Sequence, residues 1–373
     1  MHRVHRRTLR WIKNETCSTL GRVWQTTCTP RPPTLNAPTR DTNGETTPTT
    51  TTYPRGWFVI QFSDELAVGD VKPIRYFGKN LVLFRGENGV ARVFDAFCPH
   101  LGAHLGHGGK VAGDAIVCPF HAWKFGGDGK CIEIPYAKRV PTQAKVACWH
   151  VDERDGMIFL WNDADGLGPE WALPDLSATL AGFSPWNHSV LEIATHPREI
   201  IENIVDTAHF MPVHGTDAKS FRNTFEGHVA TQYNEGVAYP LGGGEDRYSL
   251  TATYYGPAYM VTHMTGVMES LMINAHTPIG PNQLHLRFAV ALKQKGDRPV
   301  SQKIVDRYVE NLRSGYLQDV AIWEHKVFRE RPLLCDGDGE IPNVRRWYRK
   351  FYQPRETTTQ SPGPTTATAG AAQ

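Results

Sequence analysis

Two short pairs of Cys and His are the residues of this chain best suited to metal chemistry. Cys98 and His100 form a C-x-H pair, and Cys118 and His121 form a C-x₂-H pair further along the chain. Zinc sites more often use C-x₂₋₄-C and H-x₃₋₅-H spacing, whereas a Rieske [2Fe–2S] centre places two Cys on one iron and two His on the other. We therefore predict that these four residues, the Rieske ligand set, hold such a cluster. A zinc site or chance clustering is the alternative.

The sequence around the Rieske ligand set suits two loop tips on a β domain. The segment between the two pairs is rich in glycine, which lets backbone N–H groups approach the cluster sulfurs. After His121, the turn sequence at 126–129 separates two short runs that can pair with each other. This pattern predicts a β-hairpin directly after the second pair.

A second group of polar residues lies about eighty residues further along the chain. Asn203, Asp206 and His209 are spaced by three, which places them on one side of a predicted helix. Pro212 disfavours helix at the residue before it, so we expect the helix to end there and His214 to fold back from the following turn. Two imidazoles and one carboxylate would form the facial triad of a non-haem Fe(II) site with open positions for O₂. The alternative is two unrelated core histidines.

The carboxylate of this second site is expected to come from a later helix. The segment 302–330 has helical periodicity, and its core-facing stripe contains Asp319 among apolar residues. A buried Asp is costly unless it is paired or binds a metal. We therefore predict that His209, His214 and Asp319, the histidine–aspartate triad, hold Fe(II). A capping or solvated role for Asp319, with Asp206 as the ligand, is the alternative.

Methionine-rich strands are predicted to face the 302–330 helix. Such walls suit a flat hydrophobic ligand, although ordinary sheet core is the alternative. The candidate wall residues are Tyr254, Tyr259, Met260, Met264, Val267, Met268, Leu271 and Met272.

Composition limits the possible partners and the cellular setting. The 373 residues carry a formal net charge of only +2, which gives no reason to expect a nucleic-acid partner. The seven cysteines are an odd number without a disulfide pattern, which favours a reducing compartment, here taken as the cytoplasm. No apolar run is long enough to span a membrane. No G-x-G-x-x-G follows a strand and no P-loop is present, so we expect a separate reductase to supply electrons.

The chain reads as two folded parts between two tails. Residues 1–52 are basic and then Thr- and Pro-rich, which favours a disordered extension over a transit-like peptide, and 356–373 read as a disordered tail. Short alternating runs over 53–163 predict an all-β domain. Over 164–355 helices and strands alternate, so we predict an α+β fold. The second part should contain helices at 198–210 and 302–330 and strands at 247–255, 258–265, 268–277 and 283–293.

The two metal-binding patterns together resemble the oxygenase component of Rieske non-haem iron oxygenases. The resemblance covers 55–353 and is most similar to the group of 3-ketosteroid 9α-hydroxylase oxygenases and cholesterol 7-desaturases. The motifs that carry it lie at 98–106, 318–326, 331–335 and 345–352. The desaturases usually have an N-terminal membrane anchor, for which this chain shows no candidate.

The resemblance implies a helix-grip catalytic domain, a homotrimer and an NAD(P)H-dependent reductase as partner. It also implies a steroid-like substrate that receives one oxygen atom from O₂. Asp206 would connect His121 of one chain with His209 of its neighbour, and Asn203 would lie near the iron without binding it. Two alternatives remain, a sterol desaturase of the same class and a non-catalytic electron carrier with a Rieske cluster only.

Overall fold

The fold is described by a computed structural model of the chain. Residues outside the described part include both predicted tails, 1–52 and 356–373, and the candidate wall residue Val267. The structure describes residues 53–238, 244–266, 268–294, 296 and 301–355.

Small antiparallel sheets make up the first part of the described chain. Their strand orders are β1-β10-β9, β2-β3-β4 and β5-β6-β7-β8. The expected hairpin after His121 is confirmed, because β7 pairs with β8 across the glycine-rich turn. The strands are β1 (Gly56–Phe62), β2 (Val71–Tyr76), β3 (Lys79–Arg85), β4 (Ala91–Asp95), β5 (Lys110–Ala112), β6 (Ala115–Val117), β7 (Lys124–Phe125), β8 (Cys131–Glu133), β9 (Val151–Arg154) and β10 (Met157–Asn162).

A single antiparallel sheet dominates the second part. Within the described residues it has seven strands in the order β11-β17-β16-β15-β14-β13-β12. The strands are β11 (Asn187–Ile193), β12 (Thr216–Glu226), β13 (Val229–Ala238), β14 (Asp246–Tyr255), β15 (Tyr259–Thr265), β16 (Ser270–Gly280) and β17 (Gln283–Leu292). The helices are α1 (Ser177–Leu180), α2 (Pro197–Ile201), α3 (Phe210–His214), α4 (Gln302–Trp323) and α5 (Ile341–Arg349). The predicted α+β fold, a β domain followed by an antiparallel sheet with helices, is confirmed.

Strand β16 separates two apolar cores. Ile273 and Ala275 point to one face and lie in the same cluster as Phe159 of the first part. Met272 points to the other face and lies in the same cluster as Val309 of α4. Because successive side chains of a strand alternate between faces, one strand joins the β domain on one side to the long helix on the other. Within the described residues, no helix has both the length and the apolarity needed to cross a bilayer.

A buried arginine fastens the two parts together at a bulge in β1. The pairing of β1 with β10 shifts register at Ile60, which turns backbone carbonyls toward the large sheet. Thr277 Oγ1 donates to the Val59 carbonyl at 2.6 Å, and Arg287 Nη1 donates to the same oxygen at 2.9 Å. Arg287 Nη2 donates to the Ile60 carbonyl and to the Tyr76 hydroxyl. Arg287 is only 3% exposed, so its hydrogen bonds form in a largely dry interior.

Removing this guanidinium is expected to destabilise the protein. In an Arg287→Leu variant, buried acceptors lose their donor, and each such loss costs roughly 1–3 kcal/mol. We expect the free energy of unfolding in urea to fall by about 2–3 kcal/mol, since some acceptors keep a second donor. Arg75→Leu is the matched control. Arg75 and Arg287 line one cavity between the two parts, but Arg75 is exposed. Equal stability of the two variants would contradict this role.

The predicted helix over 198–210 is wrong as a single helix. The chain forms α2, then a 3₁₀ turn at Glu202–Ile204, then an irregular segment before α3. Pro212 lies in the first turn of α3, where a missing N–H does no harm, so it belongs to a starting helix instead of ending one. His214 is therefore the last residue of α3 and does not lie in a following turn. Gly215 ends that helix with φ of 62°.

Candidate metal centres

The first ligand loop closes on itself through two backbone hydrogen bonds. The Cys98 N–H donates to the Ala103 carbonyl at 2.9 Å, and the Gly102 N–H donates to the Cys98 carbonyl at 3.0 Å. Gly102 has φ of 76°, a conformation that glycine adopts without steric cost. The loop therefore holds its shape through its own backbone.

The second ligand loop repeats this design. The Cys118 N–H donates to the Trp123 carbonyl at 2.8 Å, and the Ala122 N–H donates to the Cys118 carbonyl at 3.1 Å. The residue with positive φ is again the fourth after the cysteine, but here it is Ala122, with φ of 56°. A non-glycine residue in this region is uncommon and mildly strained. The two loops are thus built alike, although their histidines lie two and three residues after the cysteines.

The Rieske ligand set meets between these two loops. Cys98 and Cys118 are each 3% exposed and lie in one apolar cluster. The rings of His100 and His121 have centroids 4.7 Å apart, with an angle of 71° between their planes. His100 Nδ1 is buried and has no hydrogen-bond partner among the described residues. Two buried cysteines in one cluster, two adjacent imidazoles and an unpartnered ring nitrogen fit the ligands of a Rieske cluster.

The electrostatics of the cysteines favour a bound cation. Burial raises the pKa of Cys98 to about 11, and the nearby Cys118 and Cys131 sulfurs add to this rise. A thiol in these surroundings keeps its proton at neutral pH. Because the thiolate is the form that binds metal, iron would take the place of the proton.

The histidine–aspartate triad also comes together. The potential ligand atoms of His209, His214 and Asp319 all lie within 4.8 Å of one another. Asp319 Oδ1 lies 3.3 Å from His214 Nε2 and 4.0 Å from His209 Nε2. Asp319 is on α4 and is only 6% exposed. A buried carboxylate and two converging imidazoles are the donor set of a non-haem Fe(II) site.

Charge at this point favours a cation as well. Burial lowers the pKa of His214, but the hydrogen bond and the negative charge of Asp319 outweigh it and leave the pKa raised. The carboxylate thus stabilises positive charge between the two side chains. A divalent metal ion would satisfy the same negative potential.

Asp206 lies beside Nδ1 of His209, whereas Asp319 lies beside Nε2 of the same ring. The Asp206 Oδ2 is 3.4 Å from His209 Nδ1. The 3.4 Å contact is longer than a well-formed hydrogen bond, and His209 Nδ1 has no hydrogen bond among the described residues. The Asp206 Oδ1 accepts the Ala208 N–H at 3.1 Å. Burial raises the pKa of Asp206, but its interactions with His209 and Ala208 outweigh burial and lower it.

Comparison with known proteins agrees with these two centres. Residues 56–146 match the Rieske [2Fe-2S] domain, and residues 160–352 match the 3-ketosteroid 9α-hydroxylase C-terminal domain. The chain belongs to the 3-ketosteroid 9α-hydroxylase oxygenase family. It is thus a Rieske monooxygenase with a [2Fe–2S] cluster and a mononuclear non-haem iron, as the sequence predicted.

Curated relatives span most of this oxygenase. The 3-ketosteroid-9-alpha-monooxygenase oxygenase component of Mycolicibacterium smegmatis is 38% identical over 317 residues, covering 80% of this chain and 82% of the relative. One from Rhodococcus rhodochrous is 37% identical, with coverages of 81% and 83%. A cholesterol 7-desaturase of Ciona intestinalis is 34% identical, with coverages of 83% and 72%. Dicamba monooxygenase bound to dicamba shares the fold, with a TM-score of 0.65, 18% identity, and coverages of 81% and 98%.

Two contacts that position residues of the metal centres in this oxygenase were not predicted from the sequence. The Trp123 ring stacks on His100, with centroids 4.6 Å apart and an angle of 9°, and its Nε1 donates to the Tyr136 hydroxyl at 2.8 Å. The position of this tryptophan two residues after His121 was the available signal. Asn203 Oδ1 accepts the Trp323 Nε1–H at 3.2 Å, so its amide oxygen is engaged by the same helix that carries Asp319.

Proposed function

We propose that this oxygenase inserts one atom of O₂ into a C–H bond of a 3-ketosteroid. The observation that carries the proposal is the convergence of the histidine–aspartate triad, in a chain whose relatives are named 3-ketosteroid-9-alpha-monooxygenases. A simple electron carrier would not need a second iron site. The electrons would come from a separate NAD(P)H-dependent reductase, because the sequence has no nucleotide-binding motif.

The geometry of the two centres supports the proposed ligand assignments. The Rieske ligand set would hold the [2Fe–2S] cluster, and the histidine–aspartate triad would hold Fe(II). When bound, the cluster supplies single electrons and the iron activates O₂. The chain's own part is to orient these ligands. Trp123 fixes the ring of His100 by stacking, and Asp206 contacts the Nδ1 side of His209 while Nε2 faces Asp319.

The α4-facing side of the large sheet supports an apolar substrate with few polar groups. Met272 is paired with Thr262, and Asn274 with Met260, so these four side chains share one face. The Thr262 Oγ1 and Asn274 Oδ1 atoms are buried without a hydrogen-bond partner among the described residues. Buried polar groups are usually satisfied, so a ligand or water is expected beside them. A ketone and a hydroxyl on a steroid skeleton suit such a wall.

Other candidate wall residues fare differently. Met268 packs with Met272 against α4, as expected. Tyr259 points to the opposite face, where its ring lies 4.9 Å from that of Phe159, so it belongs to the junction with the first part. The alternation of β15 explains the difference, since Met260 and Tyr259 are adjacent and must face opposite ways.

Assembly of several copies is part of the proposal. Exposed large apolar side chains lie on the two cluster loops and in the segments next to them, which favours cover by a second copy. Asp206 has its nearest ionic partner in His209, and no ion pair joins it to His121 within the described part of one chain. We propose a homotrimer in which Asp206 of one chain reaches His121 of another. The exposed residues are Phe97 50%, Leu101 65%, Phe120 61%, Ile132 57% and Tyr136 62%.

We also propose a reducing, cytoplasmic setting. No disulfide joins the cysteines of the described chain, at 98, 118, 131, 148 and 335, so none has to be kept oxidised. A reductase that draws on NAD(P)H would share that compartment.

Sterol desaturation is the second candidate, because one relative at 34% identity is a cholesterol 7-desaturase. Product analysis separates the two. The iron-loaded protein would be incubated with a surrogate reductase, NADH and ¹⁸O₂, and offered a panel of 3-ketosteroids and cholesterol. We expect a 3-ketosteroid to gain one labelled oxygen. Loss of two hydrogens from a sterol would favour the desaturase, and no steroid product from fully loaded protein would contradict both. Omitting the reductase is the control.

A further inference from the structure

Asp206 lies in a short irregular segment between two helical turns. The residue follows the 3₁₀ turn Glu202–Ile204 and precedes α3, and neither Asp206 nor Thr207 is in regular secondary structure. Its carboxylate nevertheless has to lie against His209 Nδ1, at a separation of only 3.4 Å. Asp206 Oδ1 accepts the Ala208 N–H locally, and a contact from outside the segment adds a second constraint on this backbone.

Gly339 contacts the peptide that joins Val205 to Asp206. A Cβ atom placed on Gly339 would lie 1.7 Å from the Val205 carbonyl oxygen, 2.8 Å from the Val205 carbonyl carbon and 3.7 Å from the Asp206 nitrogen. No other described glycine would place an added Cβ so close to a neighbouring atom. Since Val205 is fully buried, the peptide that joins it to Asp206 has little free space to retreat into. The backbone of Gly339 is thus packed directly on the peptide that leads to Asp206.

The chain around Gly339 is itself well anchored. The Cys335 N–H donates to Asp338 Oδ2 at 2.8 Å, which forms a tight turn just before the glycine. Helix α5 begins immediately after it, and Arg345 of α5 forms an ion pair with Glu202 at 2.7 Å. Residues 335–345 therefore form a brace that contacts the stretch carrying Asp206 at two points, through the Gly339 backbone at Val205 and through Arg345 at Glu202.

We propose that Gly339 is a positioning residue for Asp206. The brace sets where the Asp206 carboxylate lies against His209, and in this way it sets the rate of electron transfer between the two centres. This inference rests on the proposed role of Asp206 between chains. Any side chain at 339 would push the Val205–Asp206 peptide by an ångström or more, as the 1.7 Å separation requires. The contact with His209 is already at the outer limit of a hydrogen bond, so it would be lost.

The test compares two alanine substitutions in one turn. In Gly339→Ala, we expect the oxidation of the pre-reduced cluster by O₂ with substrate, followed by stopped flow, to slow by about 10–100-fold, the usual effect of losing a partner of a ligand. Iron content should be unchanged, and the EPR spectrum of the reduced protein should keep its Rieske form. Gly337→Ala is the matched control, because its Cβ would meet only Cys335 Sγ, at 4.0 Å. A wild-type rate for Gly339→Ala, or equal slowing in both variants, would overturn the proposal.

Two further variants separate this inference from the function beneath it. If Gly339→Ala does not yield iron-loaded protein, Asp338→Ala is the second variant. It removes the acceptor of the Cys335 N–H and so loosens the same turn without adding atoms. A wild-type rate of cluster oxidation in Asp338→Ala would then overturn the proposal. In the double variant Gly339→Ala/Asp206→Asn, the rate should equal that of Asp206→Asn alone. Additional slowing would show general damage and reject the positioning role. A wild-type rate for Asp206→Asn would instead remove the proposed function of Asp206.

Discussion

Replacing Asp319 by alanine should abolish turnover and leave the Rieske cluster intact. Its carboxylate is buried and faces the Nε2 atoms of both His209 and His214. Losing a group that merely orients a ligand costs about 10–100-fold in metal affinity, so losing the ligand should lower activity by more than about 100-fold. Iron analysis should find the mononuclear iron missing, while the reduced protein keeps its Rieske EPR signal.

Asp306→Ala is the matched control for this variant. Asp306 lies on the same helix, α4, but is exposed and accepts a hydrogen bond from Gln302. We expect it to retain full activity and full iron content. If Asp319→Ala kept both its mononuclear iron and its activity, the carboxylate ligand would have to come from elsewhere, and Asp206 would become the candidate.

Replacing Asp206 by asparagine should separate metal binding from electron transfer. Asn has the same shape, so we expect both metals to stay bound. The charge that acts on His209 Nδ1 would be gone. In the proposed trimer, the acceptor that polarises His121 of the neighbouring chain would be lost with it. In stopped flow, a pre-reduced variant should oxidise its cluster about 10–100-fold more slowly in the presence of O₂ and substrate.

The alternative role of Asp206, as an iron ligand, makes the opposite prediction. Asp206→Asn would then lower the iron content, and Asp319→Asn would not. Asp217→Asn is a suitable control, because Asp217 follows α3 closely but pairs with Lys219. Full-rate oxidation of the cluster in Asp206→Asn, with both metals present, would rule out the proposed connection between chains.

The chemistry of the two centres was easier to predict from sequence than the elements that carry it. The Rieske ligand set lies on two loops, so each Cys/His spacing is local and survives any error in secondary structure. The approach of Asp319 to His209 and His214 was inferred from periodicity, and these side chains do lie together. The reason is that a lone carboxylate in an apolar stripe has few other ways of being buried.

The helices around the second centre were predicted less well. The sequence predicts that Pro212 ends a helix, although proline is also tolerated in a first turn, and local sequence does not decide between the two. Helix α4 ends at Trp323, short of the predicted residue 330. Beyond it, the centroid of the Phe328 ring lies 3.6 Å from the guanidinium carbon of Arg198 and 4.5 Å from that of Arg345. Such contacts join distant parts of the chain and leave no periodic signal.

Helix α5, and the brace that includes its first residues, were not predicted from the sequence for a related reason. The spacing of Val344, Trp347 and Phe351 is compatible with a helix, and all three are buried. What the brace touches could not be read from that pattern. The contact of Gly339 with Val205 depends on how two remote segments pack. A glycine in a sequence does not predict which backbone segment will pack against it.

The matching construction of the two ligand loops bears on how the enzyme matures. Each loop is closed by its own backbone hydrogen bonds, at Cys98 and at Cys118. Each Cys/His pair is therefore pre-organised by the loop that carries it, so cluster assembly requires less ordering of the chain than in small metal sites that fold only when the metal arrives. A donor of iron and sulfide would approach the exposed loop tips that carry Leu101 and Phe120.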